Sequence, residues 1–237
     1  MRADEILALA TQAGIGLGTS VLDLCCGVAG PGRHITSRLG CRYLGIDASA
    51  AAIAIARERA AGLDCRFEVA QIPPVPAAAV DVVLLLETML AFADKDALLQ
   101  SVSASLAPGG RFAFTVEEGA PLSASERARM PHADTVWLVP VHDLRDSLEQ
   151  VGLRVRWQQE CTRAHEHTAG ALLDAFSADV EAIAAHLGRR ALEELLAAHR
   201  LWCDWMRDGR VRKLAVVAEK VPADGPGQPA PPTCTSG

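Results

Sequence analysis

The chain has 237 residues, a formal net charge of −6 and apolar side chains at half of its positions. This length fits one large α/β domain, and a mildly acidic chain is a poor electrostatic match for nucleic acid. The sequence contains no uninterrupted apolar run of about 18 residues, the length that a membrane span needs. We therefore expect neither nucleic acid nor a membrane among its partners.

The seven cysteines are odd in number and lack the spacing of a zinc site or of a CxxC redox pair. Cys25 and Cys26 are adjacent. Acidic residues follow Arg2 closely, which is not the pattern of a signal peptide. These features predict reduced thiols in a cytoplasmic protein.

Helix and strand patterns alternate through the first half of the chain. A short helix is predicted over residues 3–13, and Ser49 and Asp94 are predicted N-caps of later helices. A turn is predicted at residues 108–110, where Pro, Gly and Gly follow one another. Strands are predicted at 20–24, 43–46, 65–69, 80–86 and 111–117, with helices at 32–39, 50–61 and 94–106. This alternation favours a mostly parallel sheet with helices on both faces.

The second half is less regular. A helix at 142–151, a strand at 153–159, a long helical stretch at 168–206 with Gly188 near its middle, and a strand at 212–219 are predicted. The helical stretch is interpreted as a cap (about 163–208) inside a single domain (1–221), because the closing strand belongs to the same sheet. Its apolar side chains, such as Trp202 and Met206, fit a substrate pocket or ordinary core. Residues 222–237 are rich in Pro, Gly, Thr and Ser and are predicted to be a disordered tail.

A glycine-rich loop follows the first strand. The strand ends near Asp23, and Gly27, Gly30 and Gly32 precede a helix. Glycines at such a place let the backbone approach a nucleotide-like ligand without a Cβ between them. The spacing is neither GxGxxG nor GxxxxGK[ST], which disfavours NAD and ATP.

A second acidic residue, Asp47, lies where the second strand ends and a helix begins. A carboxylate at this place can accept hydrogen bonds from both ribose hydroxyls of a nucleoside. The alternative is that Asp47 only caps the helix.

These residues resemble a known family. The segment 23–30 resembles the Asp-x-Gly-x-Gly-x-Gly motif of class I S-adenosylmethionine-dependent methyltransferases, and segments 81–92 and 106–112 resemble the family's fourth strand and the turn before its fifth. Cys25 and Ala29 stand where the motif usually has glycine, so Cys25 is expected to keep an ordinary φ or to shift the loop. The resemblance extends over about residues 17–118. It implies a Rossmann-like α/β fold: a seven-stranded, mostly parallel sheet with helices on both faces and a helical cap inserted before the last strand.

The resemblance also implies the cofactor, S-adenosylmethionine, and the residues around it. Asp47 takes the position of the ribose-binding acid, and Gln71 and Ile72 take positions that contact the adenine. Glu87 takes a position that orients the amino-acid end of the cofactor or the substrate, although it also fits the start of a helix. The predicted cofactor-binding residues are Asp23, Cys25, Gly27, Gly30, Asp47, Ala48, Gln71, Ile72 and Glu87.

The predicted reaction is in-line transfer of a methyl group to an oxygen or nitrogen of a small metabolite, in secondary metabolism. Placement of the acceptor provides most of the rate, and a base is needed only for a protonated nucleophile. The candidate bases are His142, His165 and His167. The last two are predicted to lie on a loop that enters the cap. His165 and His167 have an HxH spacing but no evident third ligand, so no metal is expected. The alternatives are a non-catalytic S-adenosylmethionine-binding relative and a Rossmann-type oxidoreductase, and either a monomer or a homodimer fits.

Overall fold

The computed structural model describes residues 1–76 and 78–221. Within them, the strands are β1 (Ser20–Leu24), β2 (Arg42–Asp47), β3 (Cys65–Val69), β4 (Val80–Leu85), β5 (Leu106–Glu118), β6 (Leu153–Glu160) and β7 (Arg212–Lys220). The α-helices are α1 (Ala3–Gln12), α2 (Gly30–Leu39), α3 (Ala50–Arg59), α4 (Lys95–Ser105), α5 (Ala124–Arg129), α6 (Val141–Gln150), α7 (Thr162–Ala178), α8 (Val180–Leu187) and α9 (Arg189–Arg207). The tail predicted at 222–237 lies outside the described residues.

One seven-stranded sheet has the order β3-β2-β1-β4-β5-β7-β6. β7 is antiparallel to both of its neighbours, and the pairs among β1 to β5 are parallel. The fold predicted from the sequence is thus confirmed. The strand order reverses between β1 and β4, and ligands of such sheets bind at this switch point, beyond the carboxyl ends of the strands.

Each face of the sheet carries a separate layer of core. On one face, α1, α2 and α3 contribute apolar side chains such as Leu9, Ile35 and Ile53. On the other face, α4 and α6 contribute side chains such as Leu99 and Leu148. Because the central strands are covered on both faces, β4 is apolar at nearly every position, as is typical of parallel strands.

The local predictions held at the helix starts and failed at one turn. Ser49 and Asp94 accept hydrogen bonds from Ala52 N and Ala97 N, as expected of N-caps. The turn predicted at 108–110 instead lies inside β5, where pairing with β4 shifts register. Gly109 has a φ of +73° there, so the glycine permits a bulge rather than a chain reversal.

Three helices connect β6 to β7, where the cap was predicted. The helical stretch begins at Thr162, earlier than predicted, and is divided at Asp179 and Gly188. Gly188 has a φ of +87°, which ends α8 and begins α9. Side chains of α9 pack against the segment 122–138 in a third apolar cluster that includes Leu122, Leu201 and Trp205. None of the described helices is long and apolar enough to cross a membrane.

Candidate active site

The loop between β1 and α2 uses left-handed backbone at three alternate residues. Cys25, Gly27 and Ala29 have φ values of +57°, +54° and +54°. The expectation of an ordinary φ at Cys25 was therefore wrong. Cys25 and Ala29 are small, and the left-handed conformation costs an L-residue only about 1–2 kcal/mol. The loop keeps a glycine-type path without glycine at those two positions.

The glycines of this loop have different surroundings. A Cβ placed on Gly27 or Gly30 would meet no atom within 4 Å. A Cβ on Gly32 would instead lie 2.1 Å from the ring of Tyr43. Gly32 thus allows α2 to pack on β2, whereas Gly27 and Gly30 border open space that a ligand can fill.

Asp23 is buried beneath the loop. Its Oδ2 accepts a hydrogen bond from the Tyr43 hydroxyl at 2.5 Å. Burial raises the pKa of Asp23 to about 7, against the lowering effect of the Tyr43 hydrogen bond, and the charge of Asp47 raises it further. Asp23 is thus an acid that a nearby positive charge can ionise at neutral pH.

Asp47 joins the loop to the next strand. Its Oδ2 accepts from Gly27 N and its Oδ1 accepts from Ser49 N, both at 2.8 Å. Ser49, not Asp47, caps α3. Each oxygen of Asp47 retains further acceptor capacity, so the carboxylate is fixed in direction and can still bind hydroxyl groups.

The two thiols of the loop are neutral. Burial and then the charges of Asp47 and Asp23 raise the pKa of Cys25 to about 11, and burial and the same two charges raise that of Cys26 to about 12. Thiols that remain protonated at neutral pH are poor nucleophiles. Their role is therefore in packing.

The remaining residues predicted at the cofactor differ in accessibility. Ala48 and Gln71 are exposed beside the ends of β2 and β3. Ile72 is only 6% exposed and packs into the core layer on the α4 and α6 side. Its side chain therefore offers little surface for direct contact with a ligand.

Glu87 follows β4 and makes hydrogen bonds with residues of β5 and β7. Its backbone N donates to Thr115 Oγ1 at 2.7 Å, and its Oε2 lies 2.9 Å from Lys213 Nζ. The side chain is 36% exposed. Burial raises the pKa of Glu87, but Lys213, the Met1 amine and His165 together outweigh this effect and hold the pKa below its usual value. Glu87 does not cap a helix: Thr88 is the N-cap of the short 3-10 helix Met89–Ala91 that follows, and Asp94 caps α4.

Lys213 and Glu117 are functional candidates that sequence reasoning missed. They are directly opposite on β7 and β5, and Lys213 also donates to Glu117. Lys213 is 1% exposed and Glu117 is 7% exposed. Burial lowers the pKa of Lys213, but the carboxylates of Glu117 and Glu87 outweigh it and hold the pKa above its usual value. The available signal was a charged residue at one end of each of two apolar strands.

The three candidate histidines lie in different places. His165 and His167 were predicted on a loop, and this was wrong: both lie in the first turns of α7. Residues two apart on a helix point in different directions. His165 Nδ1 is 3.8 Å from Glu87 Oε2. His167 lines grooves on the outside of the cap. His142 is 78% exposed on α6, beside Asp143.

His165 is the histidine that joins the buried cluster. Burial and then the charge of Lys213 lower its pKa, despite the opposite effect of Glu87 and Glu117. Its imidazole is therefore neutral at neutral pH and can accept a proton. Glu87, Glu117 and His165 bring possible metal ligands within 4.8 Å of one another, although Lys213 Nζ already pairs with both carboxylates.

Comparison with known proteins agrees with this geometry. Residues 21–110 match a family model described as a methyltransferase domain. Phosphoethanolamine N-methyltransferase 1 of Arabidopsis thaliana is 37% identical over 98 residues, which are 40% of this chain and 20% of that protein. The chain thus spans about a fifth of the length of the curated relatives it matches.

Solved structures extend the similarity to nearly the whole fold. A cyclopropane synthase from Mycobacterium tuberculosis has a TM-score of 0.83 at 13% identity, covering 92% of this chain and 83% of its own. Phosphoethanolamine N-methyltransferase 2 of Haemonchus contortus, solved with S-adenosylhomocysteine, has a TM-score of 0.77 at 19% identity and covers 92% and 52%. The match of residues 21–110 to a methyltransferase domain and the shared fold agree with the class predicted from the sequence.

Proposed function

We propose that this protein is an S-adenosylmethionine-dependent methyltransferase that acts on a small metabolite. The observation that carries the proposal is the pairing of the open loop after β1 with the fixed carboxylate of Asp47. The match of residues 21–110 to a methyltransferase domain supports it. The accommodation of Cys25 and Ala29 in the loop removes the main reason for expecting a non-catalytic relative.

The cofactor's position follows from the strand order. Asp47 on β2 and Glu117 on β5 are three strand positions apart, roughly 14 Å across the sheet. An extended nucleoside with an amino-acid tail fits this distance. We place the ribose on Asp47, the adenine near Gln71 and Ala48, and the tail over Gly27 and Gly30 toward Glu87.

The charges at this edge fit the cofactor as well. S-adenosylmethionine carries a positive sulfonium and a positive amine, and it supplies an activated methyl group. Asp47 gives the loop region negative charge, and Asp23, whose pKa burial raises to about 7, becomes ionised when a cation approaches. Gly27 and Gly30 let the backbone touch the ligand.

The residues of this chain contribute mainly by placing the acceptor. Alignment of two bound reactants provides much of the rate of such a transfer. His165 is the one of the three candidate bases that lies in the buried cluster, and its neutral imidazole can accept a proton from a hydroxyl or an ammonium group. His142 and His167 are less suitable, given their positions.

The finer aspects of the predicted function are proposals too. The six described cysteines are free thiols, which fits the proposed cytoplasmic location. We propose a role in secondary metabolism, with the helices between β6 and β7 acting as a substrate cap within one domain. Both a monomer and a homodimer are compatible with this function.

Substitution of Asp47 tests the cofactor site. Asp47→Ala should weaken S-adenosylmethionine binding by about 1–3 kcal/mol, because it removes a charged acceptor. Ser49→Ala is the matched control: it removes the cap of α3 but keeps the backbone N–H that binds Asp47. Isothermal titration calorimetry of both variants and the wild type measures the difference. Equal affinity in all three would show that Asp47 only supports the loop.

Asp47→Asn removes the negative charge and one of the two backbone hydrogen bonds that this side chain accepts. Asn keeps one oxygen that can accept from Gly27 N or Ser49 N, and it lacks the negative charge. We expect its affinity to fall between those of the wild type and Asp47→Ala.

A further inference from the structure

A small cavity lies between the helical cap and the carboxyl edge of the sheet. Its volume is about 200 Å³. Most of its walls are apolar or aromatic, and no Lys or Arg is found among the described residues that line it. The lining includes Glu117, His165, Thr168, His199 and Trp202.

The floor of this cavity holds a carboxylate oxygen that lacks a partner. Among the described residues, Glu87 pairs with both Lys213 and the Met1 amine, whereas Glu117 pairs with Lys213. Glu117 Oε2 is buried and has no hydrogen-bond partner among the described residues. A buried acceptor without a partner is unfavourable, the more so when it is charged. A ligand that brings a positively charged donor to Glu117 Oε2 would give this oxygen its missing partner.

The other polar groups of the cavity are acceptors or already satisfied. His199 Nδ1 lies 2.9 Å from Leu195 O, so in a neutral ring Nδ1 carries the proton and Nε2 remains an acceptor. Thr168 Oγ1 donates to Ala164 O at 3.0 Å. Trp202 adds an aromatic wall that favours a cation. The ligand that fits this cavity is therefore an apolar molecule that carries a hydrogen-bond donor.

We propose that the methyl acceptor is an apolar amine, bound as its cation with an N–H group directed at Glu117 Oε2. This inference rests on the proposed methyltransferase function and specifies its substrate class. The amine must lose a proton before its nitrogen can attack a methyl carbon, and His165 in the same cavity accepts that proton. The new bond is nitrogen to carbon, and the bond that breaks is carbon to sulfur, whose electron pair stays on sulfur.

The same observations disfavour a phosphate-bearing amine. Lys213 is already paired with two carboxylates, and the cavity lining supplies no Lys or Arg within the part of the chain that the structure describes. A phosphate group would meet the Glu117 carboxylate and no unpaired Lys or Arg in the described lining. The proposed substrate therefore differs from phosphoethanolamine, which appears in the name of the plant relatives.

Matched ligands test the proposal on the full chain in the presence of S-adenosylhomocysteine. The pairs are phenethylamine with phenethyl alcohol, cyclohexylamine with cyclohexanol, and hexylamine with hexanol, with phosphoethanolamine as a further ligand. We expect at least one amine to bind about tenfold or more tightly than its alcohol, the ratio expected of a charged hydrogen bond. Phosphoethanolamine should bind more weakly than that amine.

Substitution of Glu117 tests the recognition itself. Glu117→Gln keeps an oxygen that can accept from Lys213 but loses the charge, so the preference for the amine should fall to about one. Glu118→Gln is the matched control, because the neighbouring Glu118 pairs with Arg212 instead, and it should keep the preference. If Glu117→Gln fails to fold, the amine–alcohol ratio of the wild type decides alone.

Each result has a definite meaning. Equal binding of every amine and its alcohol, no binding by any amine, or tighter binding of phosphoethanolamine would overturn the proposal. A preference retained in Glu117→Gln would also overturn it. Binding of S-adenosylhomocysteine by itself is measured first, so that failure of the proposed function is distinguished from failure of the substrate class.

Discussion

Asp23 is a buried acid whose pKa is raised by its surroundings. Its carboxyl group lies near the end of β1, just before the loop, yet burial keeps it protonated up to about pH 7. Tyr43 supplies its hydrogen bond, and Asp47 is the charged neighbour that raises its pKa further. A buried acid of this kind makes the folded protein sensitive to pH when no ligand is bound.

The pH dependence has a definite sign. The unfolded chain ionises Asp23 near pH 3.8 and the folded chain near pH 7. Between these values unfolding releases a proton, so a rise in pH favours the unfolded state. Urea unfolding without cofactor should show Asp23 lowering stability as pH rises from about 4 to about 7. Asp23→Asn should remove this contribution.

A second carboxylate serves as the control for Asp23. Hydrogen bonds from the Ser20 side chain and backbone lower the pKa of Asp81, so its effect lies at more acidic pH and has the opposite sign. Asp81→Asn should leave the decline between about pH 4 and 7 unchanged. The same slope in the wild type and Asp23→Asn would contradict the assignment.

At the scale of elements, the β1–α2 loop and the start of α2 contain two kinds of glycine. Gly32 is required for packing, and Gly27 and Gly30 border the proposed cofactor site. Gly32→Ala should destabilise the protein, because its Cβ would overlap the Tyr43 ring. Gly30→Ala should change stability by at most about 1 kcal/mol, yet weaken S-adenosylmethionine binding, since the new methyl group enters the space assigned to the cofactor.

Gly170→Ala is the control for this pair. Gly170 lies in α7, and a Cβ there also meets no atom within 4 Å. This variant should gain about 0.5–1 kcal/mol of stability without loss of cofactor affinity. Thermal melts and calorimetric titrations measure the two effects, and an unchanged affinity in Gly30→Ala would place the cofactor elsewhere.

The sequence predicted the regular elements well and the irregular ones poorly. The strands near 20–24 and 65–69 are bounded by clear apolar patterns and matched the structure. The helix α5 and the short turn Ala133–Thr135 were not predicted, because they lack an apolar period. Distant residues contact both regions: Arg210 donates to Glu126 in α5, and Lys95 donates to the carbonyl oxygen of Trp137, two residues after the turn.

At the scale of the whole molecule, the residues of the proposed cofactor site form a local sequence pattern, and those of the proposed substrate site do not. Asp23, Gly27 and Asp47 lie within 25 residues of one another in a recognisable pattern. Glu87, Glu117 and Lys213 are brought together only by the strand order. The antiparallel direction of β7 places the start of that strand beside the end of β5, and no local pattern encodes this pairing.

The most direct measurement is calorimetric titration of the full chain with S-adenosylmethionine and, separately, with NAD. The loop after β1 lacks the spacing of a dinucleotide site, and its open glycines and paired Asp47 carry the proposed function. We predict saturable binding of S-adenosylmethionine at one site per chain and no comparable binding of NAD. Absence of S-adenosylmethionine binding, or tighter binding of NAD, would contradict the central claim.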